Sequence, residues 1–202
     1  MSRPHLPAAL AGFLGVVLNI VAVAALRPVP HTYGPSDVPA WLAETLAAPT
    51  NSTISAWAFT VGLVALAAFA AGLAFAARSS GVTIGAVFFG AGALLDAAGT
   101  MAPLAALHVD ASAGLALLWM SLLLDSAFNG LLGLGLLFIA YGLPTDWPKG
   151  LRVLALVAGL VSLPVGLQFS SDTFARLLAV AGPLWLSWVI WASVHLLRSR
   201  RD

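Results

Sequence analysis

Two aspartates lie inside stretches that are otherwise among the most apolar of the chain. Asp96 belongs to ALLDAAG, residues 93–99, and Asp125 belongs to SLLLDSAFNG, residues 121–130. Side chains four residues apart share one face of a helix, so Asn129 is expected beside Asp125 and Thr100 beside Asp96. Carboxyl, amide and hydroxyl groups placed in this way inside a membrane are candidates for binding a ligand.

The two aspartates are expected to lie at the same depth of a helical hairpin. The turn HVDAS contains Asp110, and Asp96 comes 14 residues before it while Asp125 comes 15 residues after it. At about 1.5 Å of rise per residue, both carboxyl groups reach a similar height on neighbouring helices. Asn19 and Ser187 occupy the middle of two further apolar stretches. We therefore predict a polar layer at the middle of the membrane.

Placing ionised acids in hydrocarbon is costly, at about 2.5 to 3.5 kcal/mol for a charged Asp at a helix centre. No Lys or Arg lies at that depth, so the two carboxyl groups are expected to be protonated or to share a proton near neutral pH. Two interpretations remain open. The acids and Asn129 can be hydrogen-bonding contacts between helices, or they can form a site for a proton, a cation or a polar ligand group.

Three tryptophans recur at three-residue spacing in the last apolar stretch, at Trp185, Trp188 and Trp191. A stripe of this kind most often packs against neighbouring helices. It can also line a pocket for an aromatic, cationic or lipid-like ligand. The sequence alone leaves both roles open.

The elements that must position these residues are membrane-spanning helices. The chain has 202 residues, of which 60% are hydrophobic and 8% charged, and its mean hydropathy is +0.98, which excludes a soluble globular domain. A helix needs about 20 apolar residues to cross a bilayer core of about 30 Å. We predict an all-α fold, an integral membrane bundle in which residues 1–202 form one domain. Its six transmembrane helices are expected at about residues 7–26, 54–77, 82–107, 112–142, 151–169 and 173–197.

Positive charges predict the orientation of the bundle. With both termini in the cytoplasm, only Arg27 and Arg176 lie outside, in agreement with the positive-inside rule. The other positive residues then lie inside, at Arg3, Arg78, Lys149, Arg152, Arg198, Arg200 and Arg201. We expect a multi-pass protein of the cell inner membrane. The first stretch ends in VAVAA, which also suits a signal peptide, but its apolar run is longer than a typical signal core.

The long connection over residues 27–53 is expected to form an outer loop. Its prolines exclude regular structure in its first part, whereas DVPAWLAETL predicts a short interfacial helix that begins near Asp37. This loop can cover the helix ends, or it can act as a gate over a cavity. Asp110 and Asp172 stand ahead of the fourth and sixth predicted helices, where N-cap residues belong.

Several chemistries are excluded by residues that the chain lacks. It has no cysteines, so disulfides and thiolate metal sites are ruled out. Its only lysine, Lys149, lies in a predicted loop, which excludes a retinal Schiff base inside the bundle. The histidines lie away from the helix centres, which argues against intramembrane haem or zinc. We expect no cofactor, no metal site and no nucleic-acid partner.

The order of these features resembles an uncharacterised family of bacterial six-helix membrane proteins, a domain of unknown function. The resemblance is carried by PAALAGFLGVVLNIVAV, by the Pro-rich loop before STISAWAFTVGLVALAAF, and by FNGLLGLGLLFIAYGL followed by GLRVLALVAGLVSL. It implies a six-helix bundle and no activity. Where that family has His and Gly in its fourth helix, this chain has Asp125, Asn129 and Gly130, so no functional residue is carried over.

On these grounds we expect a polytopic membrane protein that binds a small or amphipathic molecule at the polar layer. Proton-linked translocation of that molecule is part of this hypothesis. The expected partners are membrane lipids, a small lipophilic ligand, and further copies of the chain or other subunits of a membrane complex. Two alternatives remain open, a structural or assembly subunit of such a complex and a lipid-modifying membrane enzyme. The sequence assigns no catalytic residue.

Overall fold

The computed structural model describes residues 5–25 and 34–199, and this part of the chain contains helices and turns but no strand. The predicted positions of Arg3, Arg27, Arg200 and Arg201 fall outside the described residues. The helices are α1 (His5–Ala25), α2 (Val38–Ala47), α3 (Pro49–Ala77), α4 (Ser80–Gly99), α5 (Ala102–Ala106), α6 (Ala111–Gly142), α7 (Lys149–Val165), α8 (Asp172–Arg176) and α9 (Leu178–Arg198). Two 3₁₀ turns, Pro35–Asp37 and Gln168–Ser170, precede α2 and α8.

Six segments are long and apolar enough to cross a membrane, in agreement with the predicted number. They are His5–Ala25, Pro49–Ala77, Ser80–Ala106, Ala111–Gly142, Lys149–Ser170 and Leu178–Arg198. Large apolar side chains cover the outside of the described bundle, among them Phe75, which is 72% exposed, and Val87, which is 64% exposed. Such a surface suits lipid tails better than water. The fold is therefore all-α, and its six long apolar helices fit a multi-pass membrane protein.

Several boundaries differ from the predicted ones, two of them beside a proline. α3 begins at Pro49, inside the segment 27–53 that was predicted as loop, because proline suits the first turn of a helix. The third span is interrupted between α4 and α5, just ahead of Pro103. Proline has no N–H to donate to the helical ladder, which explains the interruption. The sixth predicted helix is divided into α8 and α9 at Leu177.

The long helices alternate in direction, so that one end of the bundle collects most of the positive charge. This basic end is defined by Arg78, Lys149, Arg152 and Arg198, at the ends of α3 and α9 and the start of α7. Nη2 of Arg152 donates to the carbonyl oxygen of Leu143 at 2.7 Å and so satisfies a carbonyl just beyond the last turn of α6. The other end of the bundle is called the opposite end below.

Glycines let α6 contact both of its neighbours at backbone distance. A Cβ atom at Gly135 would lie 2.7 Å from the carbonyl oxygen of Gly85 in α4. On its other face, a Cβ atom at Gly133 would lie 2.7 Å from the backbone nitrogen of Leu163 in α7. Small residues allow this approach between membrane helices. The α4–α6–α7 unit is therefore tightly packed.

Three aromatic side chains fill the core on the basic-end side of the aspartates. Phe69, Phe89 and Trp188 are completely buried. The ring centroids of Phe69 and Trp188 are 6.0 Å apart in an edge-on arrangement, and those of Phe89 and Trp188 are 6.5 Å apart. These separations fall in the range of favourable aromatic pairs. We call these three residues the aromatic cluster.

Asp110 caps α6, as the sequence predicted. Its Oδ1 accepts hydrogen bonds from the backbone N–H groups two and three residues later, at 2.9 and 3.0 Å. The predicted capping role of Asp172 is wrong, because the helix begins one residue earlier than expected and Ser171 caps α8. Asp172 instead accepts a hydrogen bond on Oδ1 from the backbone N–H of Ser36 at 3.2 Å. This bond ties the segment before α2 to α8.

Candidate functional site

A cavity of about 850 Å³ lies in the half of the bundle between the aspartates and the opposite end. Its walls come from α1, α3, α4, α6 and α9, with contributions from α2 and α8. Most of its lining side chains are apolar. The polar and charged ones are Asn19, Asp37, Ser52, Ser55, Asp96, Thr100, Ser121, Asp125, Asn129 and Arg176.

The structure brings the two predicted aspartates to this one cavity. Asp96 lies about 24 Å along α4 from its start, and Asp125 lies about 25 Å along α6 from its end, at about 1.5 Å per residue. Their heights above the basic end are therefore similar, as expected. The third span continues beyond α4 to Ala106, and Asp125 lies near the middle of α6. The position of this polar layer at the middle of the membrane stays a prediction.

Asp125 is held in place by two side-chain amides. Nδ2 of Asn129 donates to Oδ1 of Asp125 at 3.1 Å and to its backbone oxygen at 2.9 Å. Nε2 of Gln168 donates to Oδ2. Both carboxyl oxygens of Asp125 thus accept hydrogen bonds from neutral donors, which fixes the orientation of this side chain.

Asp96 has no such support. Its side chain is 6% exposed and lines the cavity, yet its carboxyl group makes no hydrogen bond to any residue of 5–25 or 34–199. Asn129 also lines the cavity and is completely buried, and its Oδ1 has no hydrogen-bond partner among the described residues. Buried polar atoms in proteins are nearly always paired. Asp96 and Asn129 therefore both contribute to the lining of the cavity an acceptor without a hydrogen-bond partner among the described residues.

Two further predicted residues, Asn19 and Thr100, also line the cavity. Nδ2 of Asn19 donates to the backbone oxygen of Gly15 at 2.8 Å, which is a bond within α1. The hydroxyl groups of Thr100 and Thr60 are 2.8 Å apart, so they connect the end of α4 to α3. The predicted polar layer thus includes hydrogen bonds between helices as well as groups that face the cavity.

The remaining predicted residues do not all reach the cavity. Ser187 is exposed on the outside of α9, so its predicted place in the polar layer is wrong. The reason is helical geometry: Trp185 and Trp188 are both buried, and a residue between them lies on a different face. Trp188 belongs to the aromatic cluster, which is the packing role. Trp191 is 40% exposed and covers Gly150 at the start of α7.

Trp185 is the tryptophan of this stripe that lines the cavity. Its side chain is 5% exposed, and its ring meets Phe128 edge-on with centroids 6.1 Å apart. Phe128 is the residue before Asn129 in α6 and also lines the cavity. An aromatic wall therefore stands next to the polar end.

Several residues of the site were missed by the sequence analysis. Gln168 is the most consequential, and its signal was a lone amide in the apolar segment LPVGLQF, four residues after Pro164. That proline precedes the turn that brings Gln168 to Asp125. Arg176 was identified only as an outer charge, yet it lines the cavity from α8. The serines at positions 52, 55 and 121 carried no signal, because isolated serines are common in membrane helices.

The charges around the cavity are unevenly distributed. Within residues 5–25 and 34–199, three carboxyl groups line it, at Asp37, Asp96 and Asp125, together with one guanidinium, that of Arg176. Arg176 is exposed and sits just before α9 at the opposite end, whereas Asp96 and Asp125 lie at the inner limit of the cavity. Among the described residues, no group of three or more His, Cys, Asp or Glu side chains could hold a metal ion. The deep end is therefore acidic and rich in acceptors.

No family model, curated protein or solved structure matches this chain. The resemblance to a bacterial family of six-helix proteins gains no support from these comparisons. The fold and the site by themselves define the class, which is a six-helix bundle of membrane-spanning type with a buried acidic cavity. Its function has to be inferred from the residues of that cavity.

Proposed function

We propose that this protein binds a small amphipathic molecule in the cavity, with the polar group of the molecule at Asp96 and Asn129 and its apolar part against the walls. The observation that carries this proposal is that the Asp96 carboxyl group and Oδ1 of Asn129, which accept no hydrogen bond from a described residue, line a mostly apolar space. A volume of about 850 Å³ falls within the range of about 300 to 1,000 Å³ that is usual for small-molecule sites.

The two aspartates differ in their hydrogen bonding, and this difference supports a role in ligand binding over a role only in contacts between helices. Asp125 is fully engaged by Asn129 and Gln168, so it builds the site and orients its neighbours. Asp96 is left free to meet a ligand or to take up a proton. A pair that served only to join helices would direct its oxygens at donors on the neighbouring helix.

Proton-linked translocation is the wider form of this proposal, with Asp96 as the group that exchanges a proton for the ligand. The aromatic cluster stands between the cavity and the basic end, and its three side chains are completely buried. Passage of a ligand would require these rings to separate. We therefore propose binding from the opposite end as the primary event.

The membrane orientation is part of the same proposal. Four of the five Lys and Arg residues within the described ranges lie at the basic end, and Arg176 lies at the opposite end. The positive-inside rule then supports a cytoplasmic basic end and an inner-membrane location. Under this arrangement the cavity, α2 and α8 face the outer side.

Equilibrium dialysis in lipid nanodiscs tests the binding function. The probe is naphthylbutanol, a neutral amphipathic fluorophore, and empty nanodiscs give its partition into lipid. We expect saturable binding to the wild type that falls about tenfold or more in Gly182→Phe, because Gly182 lines the cavity and no atom lies within 4 Å of its Cβ position. Gly90→Phe is the matched control, since Gly90 also has room, with Ala67 first met at 3.9 Å, but does not line the cavity.

The two alternative functions predict different results for the same protein in nanodiscs. An assembly subunit would bind no probe and would retain a partner protein in fixed stoichiometry after extraction. A lipid-modifying enzyme would convert added lipid extract, and Asp96→Asn would abolish the conversion. Absence of saturable probe binding, or equal binding by Gly182→Phe and the wild type, would overturn the binding proposal.

A further inference from the structure

The polar end of the cavity contains carboxyl and amide oxygens that accept no hydrogen bond from a described residue. The carboxyl group of Asp96 has no hydrogen bond to a described residue, and Oδ1 of Asn129 has none either. The Nδ2 of Asn129 already faces Asp125. A group that enters this space is therefore stabilised most if it donates hydrogen bonds, because each unpaired buried acceptor otherwise bears a desolvation penalty.

The negative charge at the same end of the cavity also determines which ligand charge is favoured. Asp96 and Asp125 lie at the deep end, whereas the guanidinium of Arg176, which also lines the cavity, is exposed at its other end. Electrostatic interactions are stronger inside a protein than in water, and an acid there needs a positive partner or a proton. A ligand with a positive charge would supply that partner, whereas an anion would add repulsion.

The other residues that line the cavity indicate the chemistry of the rest of the ligand. Trp185 and Phe128 stand beside the acids, and Phe59 and Trp41 line the space further out. Aromatic faces attract cations as well as apolar groups. A bare metal ion would occupy little of a cavity of about 850 Å³. The space instead fits a positive group attached to an apolar body.

We infer that the ligand is a protonated amine on an aromatic or alkyl body, whose ammonium group donates to the Asp96 carboxylate and to Oδ1 of Asn129. This inference rests on the proposed binding function and names its ligand class. Two aspartates and one asparagine then have different roles in the site. Asp96 and Asn129 contact the ammonium, and Asp125 is a positioning residue that keeps the Asn129 amide turned so that its oxygen points away from Asp125.

Three probes of one shape test the ligand class, namely naphthylbutylamine, naphthylbutanol and naphthylbutyrate. They are compared by equilibrium dialysis against wild-type protein in nanodiscs of neutral lipid, with empty nanodiscs as the reference. We expect the amine to bind about tenfold or more tighter than the alcohol, as a charge-assisted hydrogen bond implies, and the acid to bind weakest. Asp96→Asn should remove the advantage of the amine over the alcohol. Circular dichroism and the elution volume of the variant in size-exclusion chromatography check that it is folded.

Asp146→Asn is the matched control, because Asp146 is an exposed acid in the turn at the basic end and does not line the cavity. It should preserve the preference for the amine. Equal affinities for amine, alcohol and acid, all lost in Gly182→Phe, would overturn the inference about charge while the proposed binding function stood. An amine preference that survives Asp96→Asn would likewise overturn it. Failure of all three probes to bind would instead refute the proposed function itself.

Discussion

Gln168 donates a hydrogen bond from Nε2 to Oδ2 of Asp125, a residue 43 positions earlier in the chain. The bond joins the 3₁₀ turn after α7 to the middle of α6. A second bond supports the same contact, since the backbone N–H of Phe169 donates to Oγ of Ser126 at 3.2 Å. The turn after α7 is thereby fixed against α6, and Asp125 is fixed with it.

The contact between Gln168 and Asp125 should be measurable as a coupling energy. A double-mutant cycle with Gln168→Leu and Asp125→Leu, followed by denaturation in mixed micelles, should give about 0.6 to 1.7 kcal/mol, the range of hydrogen bonds between membrane helices. The pair Gln168→Leu and Asp146→Asn is the control and should be additive, because Asp146 is at the basic end. A coupling indistinguishable from that control would contradict the contact.

Much of the architecture could be predicted from the sequence because the cause is local. A run of about 20 apolar residues is sufficient reason for a membrane helix, and the equal heights of Asp96 and Asp125 follow from their distances to one turn. The cap at Asp110 was likewise predictable, since its effect reaches only two and three residues along the chain. These features needed no knowledge of packing.

The site could be predicted only in part because its details depend on which helix faces which. Gln168 reaches Asp125 only after the chain turns beyond Pro164, and nothing in the apolar segment states the direction of that turn. Ser187 has the right depth but the wrong face of α9. The depth of a residue along its helix follows from counting residues. The direction in which its side chain points depends on the contacts between helices in the folded bundle.

Substitution by alanine at Gly135 and at Gly182 should change the free energy of unfolding in opposite directions. A Cβ atom at Gly135 would lie 2.7 Å from the oxygen of Gly85 and 3.0 Å from the nitrogen of Phe89, both of which are backbone atoms that cannot rotate away. We expect Gly135→Ala to lower the free energy of unfolding by about 1 to 3 kcal/mol. Gly182→Ala meets no atom within 4 Å and should raise it by about 1 kcal/mol. Denaturation in mixed micelles measures both, and equal effects would refute the close α4–α6 contact.

Removal of the N-cap of α6 should lower the free energy of unfolding. The size of the loss should depend on whether the new side chain still has an oxygen that accepts hydrogen bonds. Asp110→Ala leaves two backbone N–H groups of the first turn without their acceptor and should lower the free energy of unfolding by about 1 kcal/mol. Asp110→Asn retains a side-chain oxygen and should cost clearly less. If both variants lose the same stability in a thermal unfolding assay, the effect arises from charge and not from the cap.

The orientation of the bundle can be tested with single cysteines, because the chain has none of its own. Ala40→Cys lies on an exposed position of α2, and Thr145→Cys lies on an exposed position of the turn at the basic end. A membrane-impermeant maleimide should label Ala40→Cys in intact spheroplasts and Thr145→Cys only after the membrane is opened. The reverse pattern would invert the proposed orientation and place the cavity on the cytoplasmic side.

Trp188 and Trp191 should differ strongly in their contribution to stability although they are one helical turn apart. Trp188 is completely buried between Phe69 and Phe89, so Trp188→Ala should cost about 3 to 5 kcal/mol through lost contacts and an unfilled cavity. Trp191 is 40% exposed, and its replacement by alanine should cost much less. Denaturation of both variants in the same micelles gives the comparison.

The indole nitrogen of Trp188 adds a sharper version of this prediction. Nε1 is buried and has no hydrogen-bond partner among the described residues, so its burial is unfavourable in the native state. Trp188→Phe removes that unpaired donor and keeps an aromatic ring against Phe69 and Phe89. We therefore expect it to recover most of the stability that Trp188→Ala loses. A Phe variant as unstable as the Ala variant would show instead that the indole N–H has a partner and that the aromatic cluster is held together by more than packing.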